Sequence, residues 1–117
     1  MPFDFDRTVL DSGVVVLTPS GTMTMGNQLQ KFEWTVDEFI KQQKNRIVVD
    51  MSGISYLDSS AIGVLVSCHG NAKKAGGQFV LAGVVPRVST IFKIAAIDGV
   101  LETVATRDEA VTALGLK

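Results

Sequence analysis

The chain has 117 residues, 46% of them hydrophobic and 20% charged. That length fits one domain spanning 1–117, and the balance supports a packed core. With 11 basic against 12 acidic residues the net charge is −1, which excludes a strong field for nucleic acid or an anionic membrane. The single Cys68 cannot form an internal disulfide, which fits a reducing compartment. The first 25 residues carry Asp4, Asp6 and Asp11 and no apolar core of a signal peptide, and apolar runs such as 14–17 are too short to cross a bilayer. A cytoplasmic domain is the expectation.

In chain order, residues 3–10 and 13–19 are two apolar, β-branched runs separated by Asp11-Ser12-Gly13, which predicts a hairpin-like pair of strands. Residues 21–26 read as a loop. A helix is predicted over about 24–44, with Leu29, Phe32, Val36, Phe39 and Ile40 on one face and Asn45 as its stop. Residues 46–51 are short, continuous and β-branched, as in a strand covered on both faces. A second helix over about 59–75 has a predicted apolar face of Ile62, Leu65, Val66, His69 and Ala72 and ends at Gly76-Gly77. Residues 78–82 form another buried strand. Pro86 opens a third helix faced by Val88, Ile91, Phe92 and Ala95. Residues 101–105 make a short last strand, and Thr106 with Glu109 forms a capping box for a final helix anchored by Val111 and Leu114. The alternation implies an α/β fold: a mixed four- to five-stranded sheet with about four helices, packed mainly on one face.

The segment that carries chemistry runs from Asp50 to Gly63. A strand ends at Asp50, and a helix begins at Asp58-Ser59-Ser60. Modifications and ligands gather at the carboxyl ends of strands, and a helix start offers unpaired N–H groups and positive dipole character. A phosphate on Ser59 would sit where those groups can accept it. The competing reading is plain: Asp and Ser before an apolar periodic run are ordinary N-caps, and spacing alone favours capping. Small residues at Ala61 and Gly63 let another surface approach. Ser60, Val64, Ser67 and Asn71 share an outward strip that suits docking of a protein.

Residues 46–66 resemble the signature of STAS domains, especially of anti-sigma-factor antagonists. It stands here as Asp50-Met51-Ser52 after an apolar strand, then Asp58-Ser59-Ser60-Ala61-Ile62-Gly63 before an apolar helix. The resemblance continues through Gly76-Gly77, the Pro86 helix and the capped last helix. It implies that Ser59 is phosphorylated by an anti-sigma factor that is itself a serine kinase. It also implies that only the unphosphorylated form binds that kinase and frees the sigma factor for transcription, and that a serine phosphatase restores the active form. The antagonist is a substrate in that cycle and not an enzyme. The expected site is then Ser59 for modification, Asp58, Ser60, Ala61, Gly63, Val64 and Ser67 for the partner, and Asp50 and Ser52 in support. Two positions depart from the signature. Ala61 stands in place of Gly, and the loop Gly21-Thr22-Met23-Thr24 carries no acid where Gly-x-Leu-Asp is usual.

Other candidates are weaker. Cys68 and His69 are adjacent, but His69 falls on the predicted apolar face and reads as a packed core residue, with Cys68 on its flank. Ser59 and His69, ten residues apart on one helix, are separated by roughly 15 Å and form no triad. One His and one Cys are too few for a metal, no phosphate-binding glycine loop is present, and no cofactor is expected. Asp50 and Asp58 read as loop caps that shape a kinase's view of Ser59. Trp34 projects opposite the apolar face of its helix and marks a candidate interface, self-association included. The alternative role is a STAS subunit of a larger assembly, such as a lipid-transport complex or a stress-sensing scaffold, without a phosphorylation switch.

Overall fold

The computed structural model describes residues 2–115. Its elements in order are β1 (Asp4–Val9), β2 (Val15–Met23), α1 (Asn27–Lys41), β3 (Arg46–Asp50), β4 (Gly53–Leu57), α2 (Ser59–Lys74), β5 (Gln78–Ala82), α3 (Pro86–Ile94), β6 (Glu102–Val104) and α4 (Arg107–Gly115). Six strands form one sheet in the order β1-β2-β3-β5-β6, with β4 paired to β2 beyond the end of β3. Among the described residues only the β1–β2 hairpin is antiparallel; the other pairs are parallel, joined through helices.

Residues 53–57, expected within a loop, form a strand, β4. It raises the strand number to six and draws Gly21, Thr22 and Met23 out of the expected loop into β2. Gly53 permits this pairing: a Cβ there would stand 2.9 Å from the Pro19 carbonyl oxygen. Helix α1 begins at Asn27 rather than near Thr24, with Gly26 as N-cap and no side-chain cap.

Alternation along β2 divides the core. Val15 and Leu17 face α1, α2 and α3 together with Ile47, Val49, Phe79 and Leu81. Val14 and Val16 face the other way, with Val48, Val80 and Ala82, against Ala110 and Leu114 of α4. Three helices therefore cover one face and one short helix the other, so β3 and β5 are apolar on both sides. Thr106 Oγ1 accepts from the Glu109 N–H at 3.2 Å, the predicted cap of α4. Arg46 ties the two ends of the second layer together, donating to the main-chain oxygens of Leu114 and Ser12.

Helix α2 is rotated from its predicted orientation. Ala61, Leu65, Cys68 and Ala72 are its buried residues, while Ile62, Val66 and His69 are half-buried on the flank. Cys68 is thus the core residue, and His69 is not fully enclosed, although its Nδ1 is buried with no hydrogen-bond partner. Burial pushes the Cys68 thiol far above its ordinary ionisation range, and the carboxylates of Asp37 and Glu33 on α1 push the same way.

Candidate functional site

Ser59 is the first residue of α2 and is exposed. Its position is set by Asp58, which caps the helix and does more than cap. Asp58 Oδ1 accepts from the Ala61 N–H at 2.9 Å, and Oδ2 accepts from the Met25 N–H at 2.9 Å. The Asp58 N–H in turn donates to the Met23 carbonyl at 3.1 Å. One carboxylate therefore satisfies an orphan donor of the helix start and fastens the β2–α1 loop beside the serine. The loop has no acid of its own, and its link to the helix runs through Asp58. Lys73 and Lys74 in the last turn of α2 complement the dipole at its other end.

The outward strip of α2 carries Ser59, Gly63, Ser67 and Asn71, all exposed, with Ser60 and Val64 half-buried at its side. Ala61 does not belong to it. Its methyl is fully buried in the core, because the third residue of α2 turns toward the sheet. Alanine at this position therefore bears on packing and helix propensity, not on a partner's approach.

Asp50 and Ser52 are brought together, but not with Ser59. Asp50 Oδ1 accepts from the Ser52 N–H at 3.0 Å and from Ser52 Oγ at 2.7 Å, closing a tight turn after β3. The Met51 N–H donates to the Ala82 carbonyl at 2.8 Å, which anchors that turn to the end of β5. The five residues of β4 separate it from Ser59, about 16 Å of strand.

Three further residues lie near Ser59. Met25 is 75% exposed beside Asp58, Tyr56 is 40% exposed two residues before it, and Arg87 at the start of α3 sits 5.8 Å from the Tyr56 ring centroid. Met25 continues the helical period of Leu29, Phe32 and Val36, so its exposure before the start of α1 had no signal in the sequence. Trp34 is 59% exposed on α1. A cavity of about 290 Å³ lies between α3 and β6, lined by Phe92, Asp98, Leu101 and Thr103 among others and away from Ser59. Among the described residues no three His, Cys, Asp or Glu side chains group as metal ligands, and no helix is long and apolar enough to cross a membrane.

The mixed sheet carries helices on both faces, and its β4 runs into a serine-initiated helix. Residues 7–110 match the STAS domain, and the chain belongs to that family. A protein of Thermotoga neapolitana, provisionally named as an anti-sigma factor antagonist, is 29% identical over 97 residues, covering 83% of this chain and 86% of the relative. The crystal structure of a Thermotoga maritima protein under the same provisional name superposes with a TM-score of 0.83 at 26% identity, over 94% of this chain and 93% of that one. The unphosphorylated anti-sigma factor antagonist SpoIIAA of Bacillus has the same fold, with a TM-score of 0.75 at 18% identity, over 94% of this chain and 96% of that one.

Proposed function

We propose that the chain is an anti-sigma-factor antagonist that binds an anti-sigma serine kinase and is released when Ser59 is phosphorylated, which controls how much sigma factor is free. The observation that carries this is Ser59 itself: an exposed hydroxyl opening α2, held by the Asp58 cap and flanked by a strip of small residues. The relatives named as anti-sigma factor antagonists support the same role. In this reading the kinase docks on Asp58, Ser60, Gly63, Val64 and Ser67, a serine phosphatase reverses the modification, and the chain performs no catalysis of its own.

A phosphoserine adds about −1.5 to −2 charge. It would stand beside the Asp58 carboxylate, at roughly 6 Å, where each unit of like charge costs about 3 kcal/mol at an effective dielectric near 20. Helix N–H groups offset part of this in the free domain, but a docked partner excludes water around an anion with no dedicated counter-charge. A net loss of about 3 kcal/mol is a hundredfold in affinity. The test is calorimetry with the cognate kinase. Unmodified protein and Ser59→Ala should bind alike, the phosphorylated protein about a hundredfold more weakly, and Ser59→Asp in between. Equal affinities for all four forms would refute the reading.

A further inference from the structure

Strand β3 is hydrogen-bonded on both sides, to β2 and β5, whereas β4 pairs with β2 alone. The reason is local. β5 stops at Ala82, Gly83 turns the chain in the left-handed region at φ 67°, and Pro86 starts α3. The strand that would have continued beside β4 has left the sheet. In its place is a groove of about 230 Å³, walled by residues 52–55 on one side and by Val85 and Arg87 on the other. Ser52, Gly53 and Ser55 are exposed along it, and Tyr56, also exposed, follows on β4.

An open strand edge presents a row of main-chain donors and acceptors whose natural complement is another extended chain. Arg87 supplies a charge preference. It is exposed, lies over the Tyr56 ring, and takes part in neither of the ion pairs among the described residues. We infer that an extended segment of the kinase partner adds as a strand to the open edge of β4, with an acidic side chain of that segment against Arg87. Main-chain pairing then provides affinity and the Arg87 contact selects the segment. The inference rests on the proposed function. β4 runs straight into Asp58-Ser59, so a strand seated on it is continuous with the switch surface.

The test is hydrogen exchange of the full chain, free and saturated with the cognate kinase, paired with calorimetry of two variants. Amides of residues 53–57 should exchange at least tenfold more slowly in the complex. Arg87→Glu should weaken binding at least tenfold, and Arg87→Lys, which keeps the charge, less than about threefold. A complex that protects residues 59–67 but leaves 53–57 unchanged, with Arg87→Glu binding normally, overturns strand addition and leaves the switch standing. Protection of 53–57 by ATP alone, without kinase, overturns it in favour of a nucleotide site. Absence of any complex overturns both readings.

Discussion

Replacing Asp58 by alanine removes two hydrogen bonds with one substitution. The first is the cap bond from the Ala61 N–H, and loss of an N-cap side chain costs about 1 kcal/mol. The second, from the Met25 N–H, is a bond to a charged acceptor, about 1.5 kcal/mol at the low end that suits its exposed position. The two together give about 2–3 kcal/mol. Urea unfolding should show that loss as a lower midpoint with an unchanged slope. Thermal unfolding should shift down by roughly 8–12 °C for a domain of this size. Asp58→Asn retains one good acceptor oxygen and should cost about half as much. A loss below about 0.5 kcal/mol for Asp58→Ala would refute the reasoning, because the β2–α1 loop would then be held by something other than this carboxylate.

Two more outcomes follow from the backbone and the core. Helix α3 ends in a Schellman motif, with the Ala96 N–H on the Lys93 carbonyl and the Ile97 N–H on that of Phe92, and Ala96 at φ 58° occupies the left-handed position usually filled by glycine. The side-chain penalty there is about 1–2 kcal/mol, and the added freedom of unfolded glycine offsets about half, so Ala96→Gly should stabilise by about 0.5–1 kcal/mol in urea unfolding; a loss of stability would contradict this. Because folding raises the Cys68 thiol's ionisation point, its contribution is fully present below the unfolded value of about 8.5 and is lost as pH rises above it. Stability should fall there by up to about 1.4 kcal/mol per pH unit more steeply in the native chain than in Cys68→Ala, and equal slopes would contradict the burial argument.

Most strands and helices were legible because their signals are local. The apolar run at 46–51, Pro86 at a helix start, and Thr106 with Glu109 each carry their own instruction. Strand β4 was not, because its register with β2 slips at Gly21/Thr22. Ile54 and Leu57 are buried with two exposed residues between them, so period-two alternation is absent. The rotation of α2 was missed for a different reason. Hydrophobicity puts Ile62 and Val66 at the centre of the face; Leu65 and Ala72 do point inward as expected, yet the other inward positions belong to Ala61 and Cys68, small residues that admit a close approach to the sheet. The candidate site was legible at Ser59 and Asp58, which adjoin in sequence. The Asp58–Met25 bond spans 33 residues, and Arg87 on α3 reaches Tyr56 on β4 across 31 positions of sequence (87 − 56), so neither had a sequence signature.

The central claim is that Ser59 is the modified residue. The direct measurement is incubation of the full chain with its cognate anti-sigma kinase and ATP, followed by mass spectrometry of the peptide spanning residues 46–73. One phosphate on Ser59, absent in Ser59→Ala, is the predicted result. Phosphate on Ser52, Ser55 or Ser60 instead, or none at all with an active kinase, would contradict the account.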